Sequence, residues 1–345
     1  MESNLTKMLE AAKQADPLYQ ATSFWESAVS PMLNDLESLG IENFRNWPTA
    51  LAFFVPTYGF PGHGLRKTFV DSILSCAETI EHSDKEQAFI RQSLNGWNQA
   101  LSDFRVVKAS LDKPDTSFWS QFSESCCGNP IESFVFDGRT YSRSSLNYLM
   151  GLAALSRFTD LSDVKRVVEI GGGFGSLGEI LYQWHGNAIR YVNLDIPPTC
   201  AASDFYLKTA SNENDFSGLS TTDGPLSIDQ LTPLNVLPNW RVEDLRGSID
   251  LFVNYISFQE MEPDVVSNYL QKIDRLEPKW ILIRHIREGK QVRSASNPVG
   301  VERPTTPSIY ADELKHYRQV YQDCDLYGYR TADDFHSDII ILQRT

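Results

Sequence analysis

Basic runs are missing from this sequence. Its 31 Lys and Arg face 45 Asp and Glu, a net charge of −14 over 345 residues, and nowhere do Lys and Arg concentrate into a phosphate-tracking stripe. Nucleic acid and anionic membrane surfaces are therefore excluded as primary partners. Long apolar runs are missing too: stretches such as residues 149–155 fall far short of the roughly 20 residues that a bilayer helix needs, so no membrane span is expected. Residues 1–7 lack the basic-then-apolar layout of a secretory leader, which makes a cytoplasmic location the expectation. Cysteine is scarce. Cys76, Cys126, Cys127, Cys200 and Cys324 are odd in number and form no CxxC spacing, so buried free thiols are expected rather than a zinc site or a redox pair.

Apolar residues nonetheless make up 41% of the chain and aromatics 12%, enough for one large core or two smaller ones. Between Leu5 and about Leu111 they recur at spacings of three and four, as at Phe69, Ile73, Leu74 and Ala77, which predicts a mostly helical region. A loop of turn formers around Tyr58 and His63 interrupts it. Residues 134–141 read as a short hairpin with Asp137-Gly138 at its turn. Beyond Tyr141, strands at 166–170, 189–194, 234–237, 249–255 and 280–285 alternate with helical segments. That alternation predicts an α/β fold whose parallel sheet is covered on both faces, with 326–330 and 338–342 as an antiparallel closing pair. Two units are expected: residues 1–140, mostly helical, as a substrate-binding or lid region, and residues 141–345 as the catalytic domain.

Glu169-Ile170-Gly171-Gly172-Gly173-Phe174-Gly175-Ser176-Leu177-Gly178 stands where a strand turns into a helix. Glycine there permits positive φ and close approach of a ligand to the backbone, while the helix N-terminus offers free N–H groups. Asp195, at the end of the next strand, is placed to accept hydrogen bonds from ribose hydroxyls. The segment parses in two ways. Gly173-x-Gly175-x-x-Gly178 with Asp195 fits the dinucleotide fingerprint and implies NAD and hydride transfer. Glu169-x-Gly171-x-Gly173-x-Gly175 fits the acidic first motif of enzymes that use S-adenosylmethionine. The carboxylate favours the second parse, because it would crowd a pyrophosphate but suits a cationic sulfonium. A further polar cluster, Asn254, Ser257, Gln259 and Glu260, follows a buried strand at the edge where ligands bind. For Glu260, capping of the helix after Pro263 is an equal alternative.

Together with Asn193-Leu194-Asp195-Ile196-Pro197, Phe205-Tyr206-Leu207, Leu237-Pro238-Asn239-Trp240 and Ser257-Phe258-Gln259-Glu260-Met261, these pieces resemble the putative sugar O-methyltransferase family of class I methyltransferases, over roughly residues 140–285. The resemblance implies a Rossmann-like sheet, S-adenosylmethionine as methyl donor, and a hydroxylated acceptor such as a sugar or sugar-bearing natural product. A small-molecule amine is the alternative acceptor. Cofactor contacts are then expected from Glu169, Gly171, Gly173, Gly175, Asp195, Asn254 and Ser257.

Methyl transfer from a sulfonium is an in-line displacement that needs alignment, exclusion of water and, for a hydroxyl acceptor, a general base. No metal is required. His285, ending a strand at the cleft edge, is the first candidate base, with a satisfied structural histidine as the competing reading. Glu260 is the second. His63, Gln259, Arg303 and Tyr310 are candidate acceptor contacts, and Tyr141, Arg143 and Ser144 could meet the cofactor's carboxylate. Residues 333–338 hold acidic groups and His336, but a solvated hairpin is expected there rather than a metal site. The expected partner is a small-molecule acceptor, and a homodimer is compatible with the sequence.

Overall fold

The computed structural model describes residues 2–59, 67–80, 83–111, 119–219, 224–295, 297, 299–331 and 334–345. Six helices come first: α1 (Glu2–Gln14), α2 (Ser23–Leu39), α3 (Pro48–Phe53), α4 (Lys67–Glu78), α5 (Asp84–Leu94) and α6 (Trp97–Leu111). The hairpin follows as β1 (Phe134–Phe136) and β2 (Arg139–Tyr141). Its two-residue turn puts Asp137 at φ 48° and Gly138 at φ 76°, the left-handed pair that matches strand twist.

The helix α7 (Arg143–Leu155) begins at Ser142, whose hydroxyl accepts the Ser145 N–H while the Ser145 hydroxyl accepts the Ser142 N–H, a reciprocal cap. The chain then alternates through β3 (Arg166–Ile170), α8 (Ser176–His185), β4 (Arg190–Asp195), α9 (Pro197–Ala210), the short strands β5 (Phe216–Ser217) and β6 (Leu226–Ser227), and β7 (Leu234–Pro238). After β8 (Leu245–Arg246) come β9 (Leu251–Tyr255), α10 (Pro263–Asp274), β10 (Trp280–Ile286), α11 (Ser308–Glu313), β11 (Tyr317–Asp323), β12 (Tyr329–Arg330) and β13 (His336–Arg344). The main sheet runs β11-β13-β10-β9-β3-β4-β7-β5. From β10 to β5 every pairing is parallel, and β13 runs antiparallel to β10. The α/β sheet with an antiparallel closing strand is the expected fold class.

Buried-on-both-faces strands need apolar side chains at successive positions, as Val167 and Val168 or Ile281, Leu282 and Ile283 supply. The core is shared: Met8, Phe44 and Trp47 belong to the same cluster of buried residues as Leu177, Tyr191 and Val253. Arg45 ties the helical region in as well, pairing with the buried Glu124 at 2.6 Å, which also accepts the Ser142 N–H at 2.6 Å.

Three expectations need correction. The closing strand pairs chiefly with β11; of the 326–330 segment only Tyr329 and Arg330 pair with it. β11 is masked in the sequence because its coverage is irregular, with Arg318 and Gln319 both exposed and a register shift between Gln319 and Tyr321, and because several of its side chains are charged or amide. Cys76 and Cys126 are exposed rather than buried. In the acidic tail, Asp338 is buried and ion-paired with Arg287, and the His336 Nδ1 is hydrogen-bonded to Glu288, so these groups already have partners, while Asp333 lies outside the described residues. Among the described residues no group of His, Cys, Asp and Glu could hold a metal, and no helix is long and apolar enough to cross a membrane.

Candidate functional site

The connections from β3 and β9 leave the sheet in different directions, and a crevice opens between their carboxyl ends, the position where ligands bind in such sheets. It is a cavity of about 270 Å³. Its floor is Gly171, Gly172 and Gly173; one wall carries Asp195, Ile196 and Asn239, the other Tyr255, Ile256, Ser257 and Glu260. Helices α2 and α3, with Phe54 just after α3, supply an apolar roof of Trp25, Leu51, Phe53 and Phe54.

The glycine turn has φ of 71° at Gly171 and 59° at Gly173. A Cβ on Gly171 would lie 2.1 Å from the Ser257 hydroxyl, so glycine is needed on two counts. The turn is pinned from below. Asn193 accepts the Gly172 N–H at 3.2 Å and donates to the Gly173 carbonyl at 3.1 Å, and Asp195 accepts the Gly173 N–H at 2.9 Å and the Ile196 N–H at 2.8 Å. Burial pushes the Asp195 carboxyl up to about 7 against the opposing pull of these two N–H bonds.

Glu169 is placed otherwise than expected. It is fully buried beneath the turn, does not line the cleft, and accepts the hydroxyls of Tyr148 at 2.7 Å and Tyr191 at 2.5 Å. Burial lifts it to about 7 while the two hydroxyls oppose the rise. Its contribution is to fix Tyr148, which does face the cleft. Gly175, at φ 92°, caps α8 against Leu207 and is also off the cleft. Asn254 stands behind the wall: it donates to the Ile170 carbonyl at 2.8 Å and to the Ser257 hydroxyl at 2.6 Å, locking the ends of β3 and β9 together. Ser257 is both lock and wall, donating to the Ile170 carbonyl at 3.1 Å.

Of the two candidate bases, only Glu260 lines the cleft. Its buried carboxylate is paired with Lys290 at 3.1 Å, and burial raises its pKa against the pull of that lysine. His285 is a correction. It is fully buried, its Nε2 donates to the Thr305 carbonyl at 2.9 Å, and its Nδ1 therefore accepts the Tyr310 hydroxyl at 2.6 Å. Both ring nitrogens are occupied, and burial depresses the imidazole to about 4. It braces the segment after β10 and does not line the cleft.

Tyr310 is spent on the same bond and is likewise off the cleft. Gln259 is a backbone latch, accepting the Ile286 N–H at 2.8 Å. Arg303 is exposed and pairs with Asp264. His63 lies outside the described residues.

Three features of the cleft were not singled out from sequence. Ile256, a β-branched residue, sits at φ 78°, a strained conformation of the kind that gathers at ligand sites. Asn239 donates to the Tyr19 carbonyl and the Tyr269 hydroxyl, both at 2.8 Å, leaving its buried Oδ1 without a partner. The Ser176 hydroxyl, at the start of α8, is buried and unpartnered too. Each such orphan costs about 1–3 kcal/mol unless a ligand answers it. Strain and missing partners are invisible in a sequence.

No protein-family model matches the chain, and no curated protein matches it. Solved structures that align with it include the glycopeptide N-methyltransferase MtfA with S-adenosylmethionine, at 11% identity over 56% of this chain and 92% of that one, TM-score 0.38. A second is 1,6-didemethyltoxoflavin-N1-methyltransferase of Burkholderia thailandensis with S-adenosylhomocysteine, at 17% identity over 57% and 78%, TM-score 0.38. A third is magnesium protoporphyrin IX methyltransferase of Synechocystis with S-adenosylmethionine, at 11% identity over 70% and 97%, TM-score 0.37. Likeness of this degree identifies neither an activity nor an acceptor.

Proposed function

We propose that this chain is an S-adenosylmethionine-dependent methyltransferase acting on a hydroxyl of a small molecule of the sugar or sugar-like class. The observation that carries the reading is the Gly171–Gly173 turn with Asp195 hydrogen-bonded to its backbone at the mouth of the crevice. Asp195 retains lone pairs for the two ribose hydroxyls. The orphan Asn239 Oδ1 suits an exocyclic amine, so Asn239 would hold the base of a purine nucleoside and Asp195 its ribose. Bound there, the cofactor would supply an electrophilic methyl group on a good leaving group.

The chain's own residues supply the rest. The roof of Trp25, Phe53 and Phe54 keeps water from the reacting groups. Glu260 is the cleft carboxyl proposed to take a hydroxyl proton: burial raises its proton affinity, and its ion pair with Lys290 opposes that rise and fixes its position.

The NAD reading needs Gly175 open to a pyrophosphate, and Gly175 instead faces Leu207, where a Cβ would come within 2.9 Å. The test is calorimetry of the full chain with S-adenosylhomocysteine and with NADH. Saturable binding of the first alone is expected; saturation by NADH alone would overturn the reading.

A further inference from the structure

Among the described residues three arginines are buried, Arg45, Arg241 and Arg284. Arg45 holds Glu124 and Arg241 holds Asp244, whereas no described carboxylate lies within ion-pair distance of Arg284. Its bonds are to neutral oxygens: the Ser337 hydroxyl at 3.0 Å and the Asn147 side-chain carbonyl at 2.8 Å. An unpaired cation so deep in a protein is rare, because little else replaces its hydration.

A second guanidinium lines the same small pocket as Arg284, beside the main cleft. Arg143, the first residue of α7, donates to the Thr57 carbonyl at 2.7 Å and lies 5.5 Å and 5.7 Å from the ring centres of Tyr58 and Tyr329, again with no described carboxylate in ion-pair reach. The nearby acids act on these cations only at longer range and have their own partners: Asp103, which lines the same small pocket, accepts from Tyr58 and Gln99, and Glu132 accepts the N–H groups of Tyr58 and Gly59. Burial, and then repulsion from Arg143, hold the Arg284 guanidinium below its usual value.

Arg143 and Asn147 also line the main cleft. Arg284 sits on β10 in register with Tyr255 of β9, and β3 separates β9 from β4, which carries Asp195. The positive end of the cleft is thus the end away from the ribose side.

Resting on the methyl-transfer reading of this cleft, we propose that Arg143, backed by Asn147 and Arg284, binds a carboxylate of the methyl acceptor, which makes that acceptor a hydroxylated acid such as a sugar acid. A guanidinium fork matches a carboxylate in two parallel bonds, and the aromatic faces of Tyr58 and Tyr329 hold the fork in place.

The full chain, saturated with S-adenosylhomocysteine, is titrated with two matched pairs, glucuronate against glucose and benzoate against benzyl alcohol. At least one acid should bind about tenfold more tightly than its neutral counterpart, Arg143→Met should erase that preference, and affinity for S-adenosylhomocysteine should change less than about twofold. Arg143→Lys, which keeps the charge without the fork, should retain part of the preference and serves if the methionine variant does not fold. Equal binding within both pairs would overturn the proposal. So would a loss of S-adenosylhomocysteine affinity in Arg143→Met with 5′-methylthioadenosine unaffected, since the cation would then serve the cofactor's own carboxylate. If S-adenosylhomocysteine does not bind at all while an Arg143-dependent preference persists, the anion subsite stands and the methyl-transfer reading falls alone.

Discussion

The Asp195 carboxylate accepts the Gly173 N–H at 2.9 Å, so the acid that faces the cleft also holds the turn that forms its floor. Cofactor affinity and loop geometry are coupled through one side chain. Asp195→Asn keeps the size but turns one accepting oxygen into a donor, so it loses acceptor capacity for ribose together with one of the two backbone bonds at Gly173 and Ile196. Its affinity for S-adenosylhomocysteine should fall by about 10- to 100-fold, in line with one or two charge-assisted hydrogen bonds. Unchanged affinity in calorimetry would remove Asp195 from the ribose site.

Gly171 and Gly186 offer a matched pair of alanine substitutions. Both have positive φ, but a Cβ on Gly171 meets the Ser257 hydroxyl at 2.1 Å while nothing lies within 4 Å of one on Gly186. Gly186→Ala should cost only the left-handed backbone penalty of about 1–2 kcal/mol. Gly171→Ala should lower the melting temperature further and abolish S-adenosylhomocysteine binding, because Ser257 must move and take the Ile170 carbonyl with it. Equal losses in the two variants would show that the floor tolerates a side chain.

Replacing His285 by Gln tests its bracing role. The neutral imidazole joins Thr305 to Tyr310, so the variant should lose about 1–3 kcal/mol of stability in urea denaturation. Affinity for S-adenosylhomocysteine should stay as in the parent. A stability equal to the parent's combined with lost turnover would restore His285 as a base.

Glu179 carries a pH prediction. Burial, then repulsion from Glu124, raises its carboxyl to about 7, above its value in the unfolded chain. A group with a raised folded pKa stabilises fully below its unfolded pKa, and that contribution is lost as pH rises through the folded one. The window therefore runs from about pH 4 to 7. Glu179→Gln is neutral throughout, so its melting temperature should improve relative to the parent as pH rises from 5 to 8. A constant difference across that range would mean that the carboxylate is solvated.

Glu260→Gln removes the one acid in the cleft that is paired with a lysine. Turnover should fall by about 10²- to 10⁴-fold, the usual contribution of a general base, with S-adenosylhomocysteine affinity nearly unchanged. Equal kcat in the two proteins would leave proton removal to the acceptor itself.

Much of this architecture is legible in one dimension. The strands at 166–170 and 280–286 announce themselves by their apolar stretches, Val167-Val168 and Trp280 to Ile283, and the 134–141 hairpin by Asp137-Gly138. β11 does not, since an edge strand with one covered face carries Arg318, Gln319 and Gln322 outward. The cleft was legible to a similar depth. Gly171, Gly173, Asp195, Ser257 and Glu260 line it, because strand ends and tight turns are local features. Glu169, Asn254 and His285 sit one layer away, and which side of a strand end faces a cavity depends on what packs behind it.

The main alternation of strands and helices from β3 to β10 is written in the chain, and with it the place where a crevice must open. Periodicity and turn chemistry are local properties, and they survive without neighbours. Which polar groups remain unanswered was settled by folding: His285 is satisfied by Thr305 and Tyr310, twenty and twenty-five residues away, while the Asn239 Oδ1 has no partner and Arg284 bonds to neutral oxygens alone. Satisfaction of a buried donor, acceptor or charge is a property of pairs brought together by folding, and no single position in the chain records it.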